Sequence, residues 1–330
     1  MTVRVTSAVI STAPTTAGHV HPNALAHGLR VLGDEWAMLI VQRALLGDRR
    51  YGDFKASLPI SDAVLTGRLT ELVDLGLLRH VPDRVGGRSS YQLDGMGRGL
   101  WPVHLLIWDW EQSWAVRDGH GLPTMRHRSC GRVFRPVLTC GSCGERADPR
   151  DMRAAWGPAG GWERSIPRAG RRRRSATRGP GRFRATMGVV ASHWSLAVIV
   201  AALWGTRRYG DFQETLGMSP AILSERLKTL VAEGFLTEQP TATRADWSEY
   251  HPTARTIAFL PVFAVMVAWA ERWFGEPGGP SVVLTHSSCG DVLRPRLRCD
   301  QCRDLLVSGD VIAEEAGSGH GGDPAAYSDN

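Results

Sequence analysis

The sequence predicts a mainly α-helical fold with small β wings, of class α+β, in which one domain plan is built twice in tandem. Three observations predict it. Apolar residues recur at helical spacing over long stretches, pairs of short strand-like segments follow them, and the whole pattern returns 158 residues later. A chain of 330 residues is long enough for two or more such domains.

The repeat is exact at its best-matched point. The string "RRYGDF" occupies residues 49–54 and again residues 207–212, and Trp36 aligns with Trp194 at the same offset of 158. After one inserted residue the offset becomes 159, which pairs Tyr91 with Tyr250 and every cysteine of the first copy with one of the second. A period this long indicates a duplicated globular unit, because solenoid repeats span roughly 20 to 50 residues.

Each copy follows one order of predicted elements. In the first, "WAMLIVQRALLGD" is an apolar helix that ends near Gly47, "YGDFKASL" is a short second helix, and "PISDAVLTGRLTELVDLGLL" is a third that ends at Gly76. Two strands, "GLLRHVP" and "SSYQLD", flank a Gly-Gly turn, and the long helix "GRGLWPVHLLIWDWEQSWA" closes the unit. This order predicts two winged helix-turn-helix domains, at residues 23–118 and 185–276.

The third helix of each copy is the predicted recognition helix. Leu65, Leu69 and Leu72 form its buried stripe, which leaves small and hydroxyl residues outward, where they suit a DNA major groove. An ordinary solvated helix face would show the same pattern. Because Glu225 lies on the outward face of the second copy, and a carboxylate repels phosphate, we expect that copy to bind DNA more weakly. The predicted DNA-contacting residues in and beside these helices and wings are Arg49, Arg50, Ser61, Ala63, Thr66, Arg68, Thr70, Arg84, Arg88, Arg207, Arg208, Ser219, Ala221, Ser224, Arg226, Lys228 and Arg244.

A second motif also occurs twice and uses all six cysteines of the chain. Residues 127–143 and 286–302 both fit His-x2-Cys-Gly-x3-Arg-Pro-x-Leu-x-Cys-x2-Cys. Four such donors complete tetrahedral coordination of zinc, so the pattern predicts two small zinc-ribbon-like modules, at residues 124–150 and 282–313, with structural ions. The ligand sets expected within each copy are His127, Cys130, Cys140 and Cys143, and His286, Cys289, Cys299 and Cys302.

Two other interpretations of the cysteines stay open. One is a disulfide with a spare thiol, which the odd count of three per module and an expected cytoplasmic setting disfavour. The other is a reactive Cys-x2-Cys redox switch. The recurrence of the histidine at the same spacing favours zinc.

The remaining segments are predicted to lack a fold. Residues 151–184 form an Arg/Gly/Pro-rich linker, and removing the nine arginines of residues 164–184 from the net charge of +6 leaves −3 for the rest. Arg171, Arg172, Arg173 and Arg174 make it either a solvated tether or a phosphate-binding arm. Residues 1–22 are expected to be flexible, without a secretion signal, and residues 314–330 to be a disordered tail. The apolar stretches from Val189 and Thr256 are too short to span a membrane, so a soluble cytoplasmic protein is expected.

The strings "LGDRRYGDFKASLPISDAVLTGRLTELVDLGLL" and "LWPVHLLIWDWEQSW", with their second-copy equivalents, resemble the HxlR-type winged-helix transcriptional regulators, which are related to the MarR group. The resemblance covers about two thirds of the chain. Family members usually carry one such domain and pair as homodimers through their first and last helices. Many carry a Cys-Pro dipeptide near the amino terminus, where this chain has His21-Pro22.

The resemblance implies a sequence-specific DNA-binding transcription regulator, a repressor, and not an enzyme. Its expected partners are double-stranded DNA and the other copy within the same chain, so that one chain acts as its own dimer, with further homodimerisation left open and the effector ligand unknown. Two structural zinc ions per chain are the expected cofactors. The alternatives are a winged-helix scaffold for protein contacts, which would not bind DNA in a salt-dependent way, and a zinc-dependent hydrolase or deaminase-like enzyme, which would need an open coordination position.

Overall fold

The computed structural model describes residues 21–82, 89–114, 122–166, 184–190, 192–241 and 247–314. The first copy begins with a helix that was not predicted and then follows the predicted order. Its elements are α1 (Ala24–Leu32), α2 (Glu35–Leu45), α3 (Tyr51–Ser57), α4 (Asp62–Asp74), β1 (Leu78–Pro82), β2 (Ser89–Leu93), α5 (Gly95–Arg98) and α6 (Trp101–Trp114).

The first cysteine module follows α6 and extends beyond its predicted end. Its elements are β3 (Thr124–His127), β4 (Pro136–Cys140), a 3-10 turn at Pro149–Asp151, β5 (Met152–Trp156) and the short helix α7 (Trp162–Ser165).

The second copy repeats this plan. Its elements are α8 (Arg184–Val190), α9 (His193–Leu203), α10 (Tyr209–Leu216), α11 (Pro220–Ala232), β6 (Leu236–Pro240), β7 (Ser248–Pro252), α12 (Ala254–Ile257), α13 (Leu260–Phe274), β8 (Val282–His286), β9 (Pro295–Cys299), a 3-10 turn at Ser308–Asp310 and β10 (Val311–Glu314).

The predicted winged helix-turn-helix is confirmed in both copies. Strands β1 and β2 form an antiparallel wing with Leu78 opposite Leu93, and β6 and β7 form the second wing with Leu236 opposite Pro252. The apolar stripe of α4 is buried, as is its counterpart on α11. These stripes pack because apolar residues spaced three and four apart lie on one face of a helix. The buried residues are Leu65, Leu69 and Leu72 on α4, and Leu223, Leu227 and Leu230 on α11.

The chain divides into two compact units, and each unit combines segments of both copies. One contains residues 21–33, 140–166 and 185–294, and the other contains residues 34–139 and 295–314, within the described ranges. The boundary therefore does not follow the sequence repeat. The two predicted recognition helices lie in different units. Helix α11 is in the unit that contains residues 185–294, and α4 is in the unit that contains residues 34–139.

Helix α1 of the first copy packs on α13 of the second. Asn23 caps α1, and its amide also donates hydrogen bonds to the Ala159 carbonyl and the Ser165 hydroxyl. The two helices approach closely at Gly28, where an added Cβ would lie 2.9 Å from the Cβ of Ala270. Glycine is required there because no larger side chain fits between the helix backbones.

The predicted linker at residues 151–184 begins too early. Met152–Trp156 is strand β5, paired antiparallel with β8 of the second copy, and Trp162–Ser165 is helix α7. The ring of Trp156 lies edge-on to Trp162 and Trp204, with centroids 5.0 and 4.7 Å away. This apolar clustering orders a stretch whose Gly and Pro content suggested a linker. Arg171 to Arg174 lie outside the described residues.

One stretch, Ala254–Phe274, is long and apolar enough to cross a membrane by length and composition, and half of it is buried inside the protein. It contains α12, which contacts β7 of the second winged-helix domain, and α13, which packs on α1. Burial in the protein interior accounts for its apolar character, so it does not indicate a membrane protein.

Helix α6 carries a buried histidine. His104 is 1% exposed, and neither ring nitrogen has a hydrogen-bond partner among the described residues. Burial lowers the pKa of His104 to about 3, because the apolar interior disfavours the charged imidazolium. The second copy has Phe263 at the equivalent position, also buried.

We expect His104 to make the protein acid-sensitive. Its folded pKa lies below its unfolded value of about 6.5, so the unfolded chain takes up the proton first, and stability falls as pH drops from about 6.5 towards 3. The free energy of unfolding is lower by about 2 kcal/mol at pH 5 than at pH 7. Urea denaturation at pH 7 and pH 5 should show this loss in the wild-type protein and in the exposed control His80→Phe. An equal acid loss in His104→Phe would exclude this histidine as the cause.

Candidate DNA-binding surface and metal centres

The outward face of α4 carries most of the residues that the sequence predicts for it. Ser61, Ala63, Thr66 and Thr70 are all exposed, while the leucine stripe is buried beneath them. Ser61 stands at the amino-terminal cap of the helix. Gly67, also exposed, leaves this face free of large side chains. A flat surface of methyl, hydroxyl and backbone groups can approach base edges closely.

Arg68 does not belong to this outward face. Its guanidinium pairs with Asp34, Nη2 to Oδ2 at 2.6 Å, and with Glu71, Nη1 to Oε2 at 2.9 Å. The side chain is 21% exposed, and both its carboxylate partners belong to the same domain. The charge of Arg68 is thus paired within the domain, and its contact with DNA stays a prediction.

The equivalent face of α11 is less uniform. Ser219, Ala221 and Lys228 are exposed and Ser224 is half-buried. Arg226 pairs with the neighbouring Glu225 at 3.0 Å, so this arginine, like its counterpart in α4, has an internal partner.

The two arginine pairs before α3 and α10 differ between the copies. Asp53 Oδ2 accepts hydrogen bonds from the backbone of Arg50 at 2.8 Å and of Arg49 at 3.1 Å, which fixes the start of α3. In the second copy, Arg207 folds back and donates to the carbonyls of Ala202 and Thr206, and burial lowers the pKa of its guanidinium.

Arg50 and Arg208 are the exposed members of these pairs. Arg208 lies 3.5 Å from a carboxylate oxygen of Glu249. The guanidinium of Arg207 donates hydrogen bonds to carbonyl oxygens of its own domain, and its contact with DNA stays a prediction. The wing residues Arg84, Arg88 and Arg244 lie outside the described residues.

All eight predicted metal ligands gather into two clusters. In each cluster the four donor atoms lie within 4.8 Å of one another. The grouping differs from the one expected within each copy. The clusters are His127, Cys130, Cys299 and Cys302 in one compact unit, and Cys140, Cys143, His286 and Cys289 in the other.

The donor distances fit a tetrahedral ion. His127 Nδ1 is 3.3 Å from Cys302 Sγ, and His286 Nδ1 is 3.4 Å from Cys143 Sγ and 3.5 Å from Cys289 Sγ. An ion bound at about 2.0 Å from nitrogen and 2.3 Å from sulfur places those atoms about 3.5 Å apart. In both clusters Nδ1 of the histidine faces the thiols. Both histidine side chains are fully buried, which shields them from water.

Tight turns aim the cysteines at each cluster. Gly131 and Gly290 follow the His-x2-Cys pairs with positive φ of 68° and 77°, and each donates its N–H to the histidine carbonyl at 2.8 Å. Gly144 and Arg303 play the same part after the Cys-x2-Cys pairs. The left-handed conformation explains the glycine in three of these four places.

Cys140, a buried thiol of one cluster, has a pKa below the usual value of a cysteine. Burial raises the pKa of Cys140, but backbone N–H groups of Cys143 and Ser142 lower it more, and the pKa settles at about 6. A thiolate is the form that binds metal. With four protein donors per cluster, tetrahedral coordination is complete, which is the pattern of structural rather than catalytic sites.

A helix-turn-helix with a two-stranded wing, formed twice, defines a winged-helix protein of the class that binds DNA. The HxlR-like helix-turn-helix family profile matches residues 31–118 and 189–277, which together are more than half of the chain. The chain therefore belongs to the HxlR-like helix-turn-helix family and carries two of its domains.

Relatives of this chain are described as regulators of transcription. It is 29% identical over 126 residues to Rv3095 of Mycobacterium tuberculosis, an uncharacterized HTH-type transcriptional regulator, covering 38% of this chain and 80% of that protein. It is 33% identical over 99 residues to sll1512 of Synechocystis, another such regulator, covering 28% and 72%. Its sequence is 30% identical to that of PA1607, a proposed transcription factor of known crystal structure. The match covers 36% of this chain and 83% of that one, with a TM-score of 0.34. The family and the two HTH-type regulators support a DNA-binding regulator, in a family whose members are typically not enzymes.

Proposed function

We propose that the chain is a sequence-specific transcriptional repressor that binds double-stranded DNA with both recognition helices and acts as its own dimer. The exposed face of α4 carries the proposal. It presents Thr66 and Thr70 above a fully buried leucine stripe, with no acidic side chain between them. Such a face fits a major groove, where hydroxyl and methyl groups contact base edges.

The first copy provides the stronger specific contact. On α11 the exposed Glu225 places a carboxylate where phosphate or base edges would lie, and it also neutralises Arg226. In the second copy, the guanidinium of Arg207 already donates hydrogen bonds to backbone carbonyls. The bound DNA therefore consists of two unlike half-sites, and residues 171–174 add affinity that does not depend on sequence.

Pairing of the two copies within one chain is supported by the packing of α1 on α13. These are the first helix of one copy and the last long helix of the other. Two zinc ions per chain, held by the two clusters, stabilise the cysteine modules. The proposed domains are the two winged helices, at residues 23–118 and 185–276, with the first module extended to residue 166. The protein acts in the cytoplasm, where DNA is present and thiols stay reduced.

Selection of bound fragments from random DNA by the purified protein tests this function. We expect one enriched site with two unlike halves, and Thr66→Ala and Thr70→Ala should each change the preferred base at a position in one half by roughly 10-fold, since a base contact contributes about 1–3 kcal/mol. The matched control is Thr229→Ala on α11, whose hydroxyl bonds back to the Glu225 carbonyl at 2.9 Å.

The control should leave the selected site unchanged. If Thr66→Ala and Thr70→Ala select the same site as the wild-type protein, α4 is not the recognition helix. If no fragment is enriched and binding does not fall with salt, the winged helices serve protein contacts and the proposal fails.

A further inference from the structure

We infer that each metal ion joins the two copies of the repeat, so that metal binding is thermodynamically linked to their pairing within the chain. The inference rests on the proposed binding of two ions and adds what those ions do. In both clusters the His-x2-Cys pair comes from one copy and the Cys-x2-Cys pair from the other. Neither copy contains a complete cluster by itself.

The first cluster shows how the copies interlock. His127 ends β3, and β3 pairs antiparallel with β10 of the second copy, with Val311 opposite His127. The backbone N–H of Arg128 donates to the Asp310 carbonyl at 2.8 Å, and Arg126 pairs with Glu314 at 2.6 Å. The histidine of the first copy is thus fixed on a strand of the second copy.

The second cluster has the reciprocal arrangement. His286 ends β8, which pairs antiparallel with β5 of the first copy, with Met152 opposite His286. The Ser287 N–H donates to the Asp151 carbonyl at 2.7 Å, and Ser142 Oγ lies 3.3 Å from the Val292 carbonyl oxygen. Each exchanged sheet has two strands, and such sheets are marginally stable alone, so an ion that gathers ligands from both copies would hold them together.

Arg135 extends this connection to the winged helix. Its backbone N–H donates to Asp300 Oδ1 at 2.9 Å, beside the ligand Cys299 of the second copy. Its side chain donates to Asp109 Oδ1 and to Ser113 Oγ on α6, each at 2.6 Å. One residue of the first copy therefore contacts both the metal-binding turn of the second copy and the closing helix of the first domain.

Ion counts in paired double variants of the full-length protein test the inference. If the ions join the copies, Cys130→Ser with Cys299→Ser destroys one cluster, and the protein keeps one ion per chain after dialysis against a weak competing chelator. Cys130→Ser with Cys140→Ser destroys both clusters and leaves none. If each copy held its own ion, these results would be reversed, with none for the first variant and one for the second. Each variant is the matched control of the other, because both replace two cysteines by serine.

A measurement on the unaltered sequence covers the case in which a variant fails to fold. In protein loaded with cadmium-113, scalar couplings between the metal nucleus and cysteine β-protons identify the cysteines whose sulfur atoms bind each ion. We expect one ion coupled to Cys130, Cys299 and Cys302, and the other to Cys140, Cys143 and Cys289. Coupling of one ion to Cys130, Cys140 and Cys143 would overturn the inference while leaving zinc binding intact. Protein without bound metal would overturn both, and neither result bears on the DNA selection.

Discussion

We expect removal of both metal ions to lower the midpoint of thermal unfolding by at least about 20 °C, the shift that the loss of one structural site alone would give. A structural zinc site contributes roughly 10 kcal/mol of apparent free energy, and in a protein of this size each kcal/mol shifts the midpoint by about 2–4 °C. The effect is large because four thiol and imidazole groups are gathered in each cluster, with both histidines fully buried. Without a cation, β3–β10 and β5–β8 are two-stranded sheets, which are marginally stable alone.

Calorimetry of protein treated with a strong chelator checks this expectation, with metal content verified by elemental analysis. Zinc added back should restore the midpoint, whereas magnesium, which prefers oxygen ligands, should not. A midpoint that stays within a few degrees in verified metal-free protein would show that the clusters do not stabilise the fold.

Gly28→Leu destabilises the protein by about 3 kcal/mol, because a leucine side chain does not fit between α1 and α13. A Cβ at position 28 already lies 2.9 Å from the Ala270 Cβ and 3.8 Å from the ring of Trp269. The helices must separate, which exposes the buried apolar residues of α1, among them Leu25 and Leu29. Loss of the contact between α1 and α13 therefore also weakens the pairing of the two copies.

The matched control is Gly52→Leu on α3, where an added Cβ meets nothing within 4 Å. Urea denaturation should show a loss of less than about 1 kcal/mol for the control and a clearly larger loss for Gly28→Leu. Equal losses in the two variants would mean that the α1–α13 contact contributes little to stability.

The local structure of each copy could be predicted from the sequence because it depends on local patterns. Leu65, Leu69 and Leu72 recur at helical spacing, and they are buried as predicted. The two strands of the wing flank a Gly-Gly dipeptide in the sequence and pair as expected. The apolar helix α9, which has no polar face, is buried from Ser195 to Ala202 without interruption. In each case neighbouring residues along the chain determine the element.

Two elements escaped prediction although each left a signal. Helix α1 (Ala24–Leu32) has Asn23 as its amino-terminal cap, whose side chain accepts a hydrogen bond from the Ala26 N–H. The sequence prediction placed no element before the "WAMLIVQRALLGD" helix. Strand β5 was assigned to the linker, since its five residues offer little apolar periodicity and gain their order by pairing with β8. Short segments like these depend on partners far away in sequence.

The sequence by itself determined the duplicated winged helix and the identity of all eight candidate metal ligands, because residue type and spacing define both. The tertiary structure decided which ligands meet. Spacing places His127 near Cys130 and Cys140 near Cys143, since those pairs lie on single turns, but it says nothing about which turn faces which. Both copies carry the same two turns, so a site within one copy and a site between copies satisfy the same sequence. The strand pairs β3–β10 and β5–β8 select the arrangement between copies, since each brings the histidine of one copy beside the Cys-x2-Cys turn of the other.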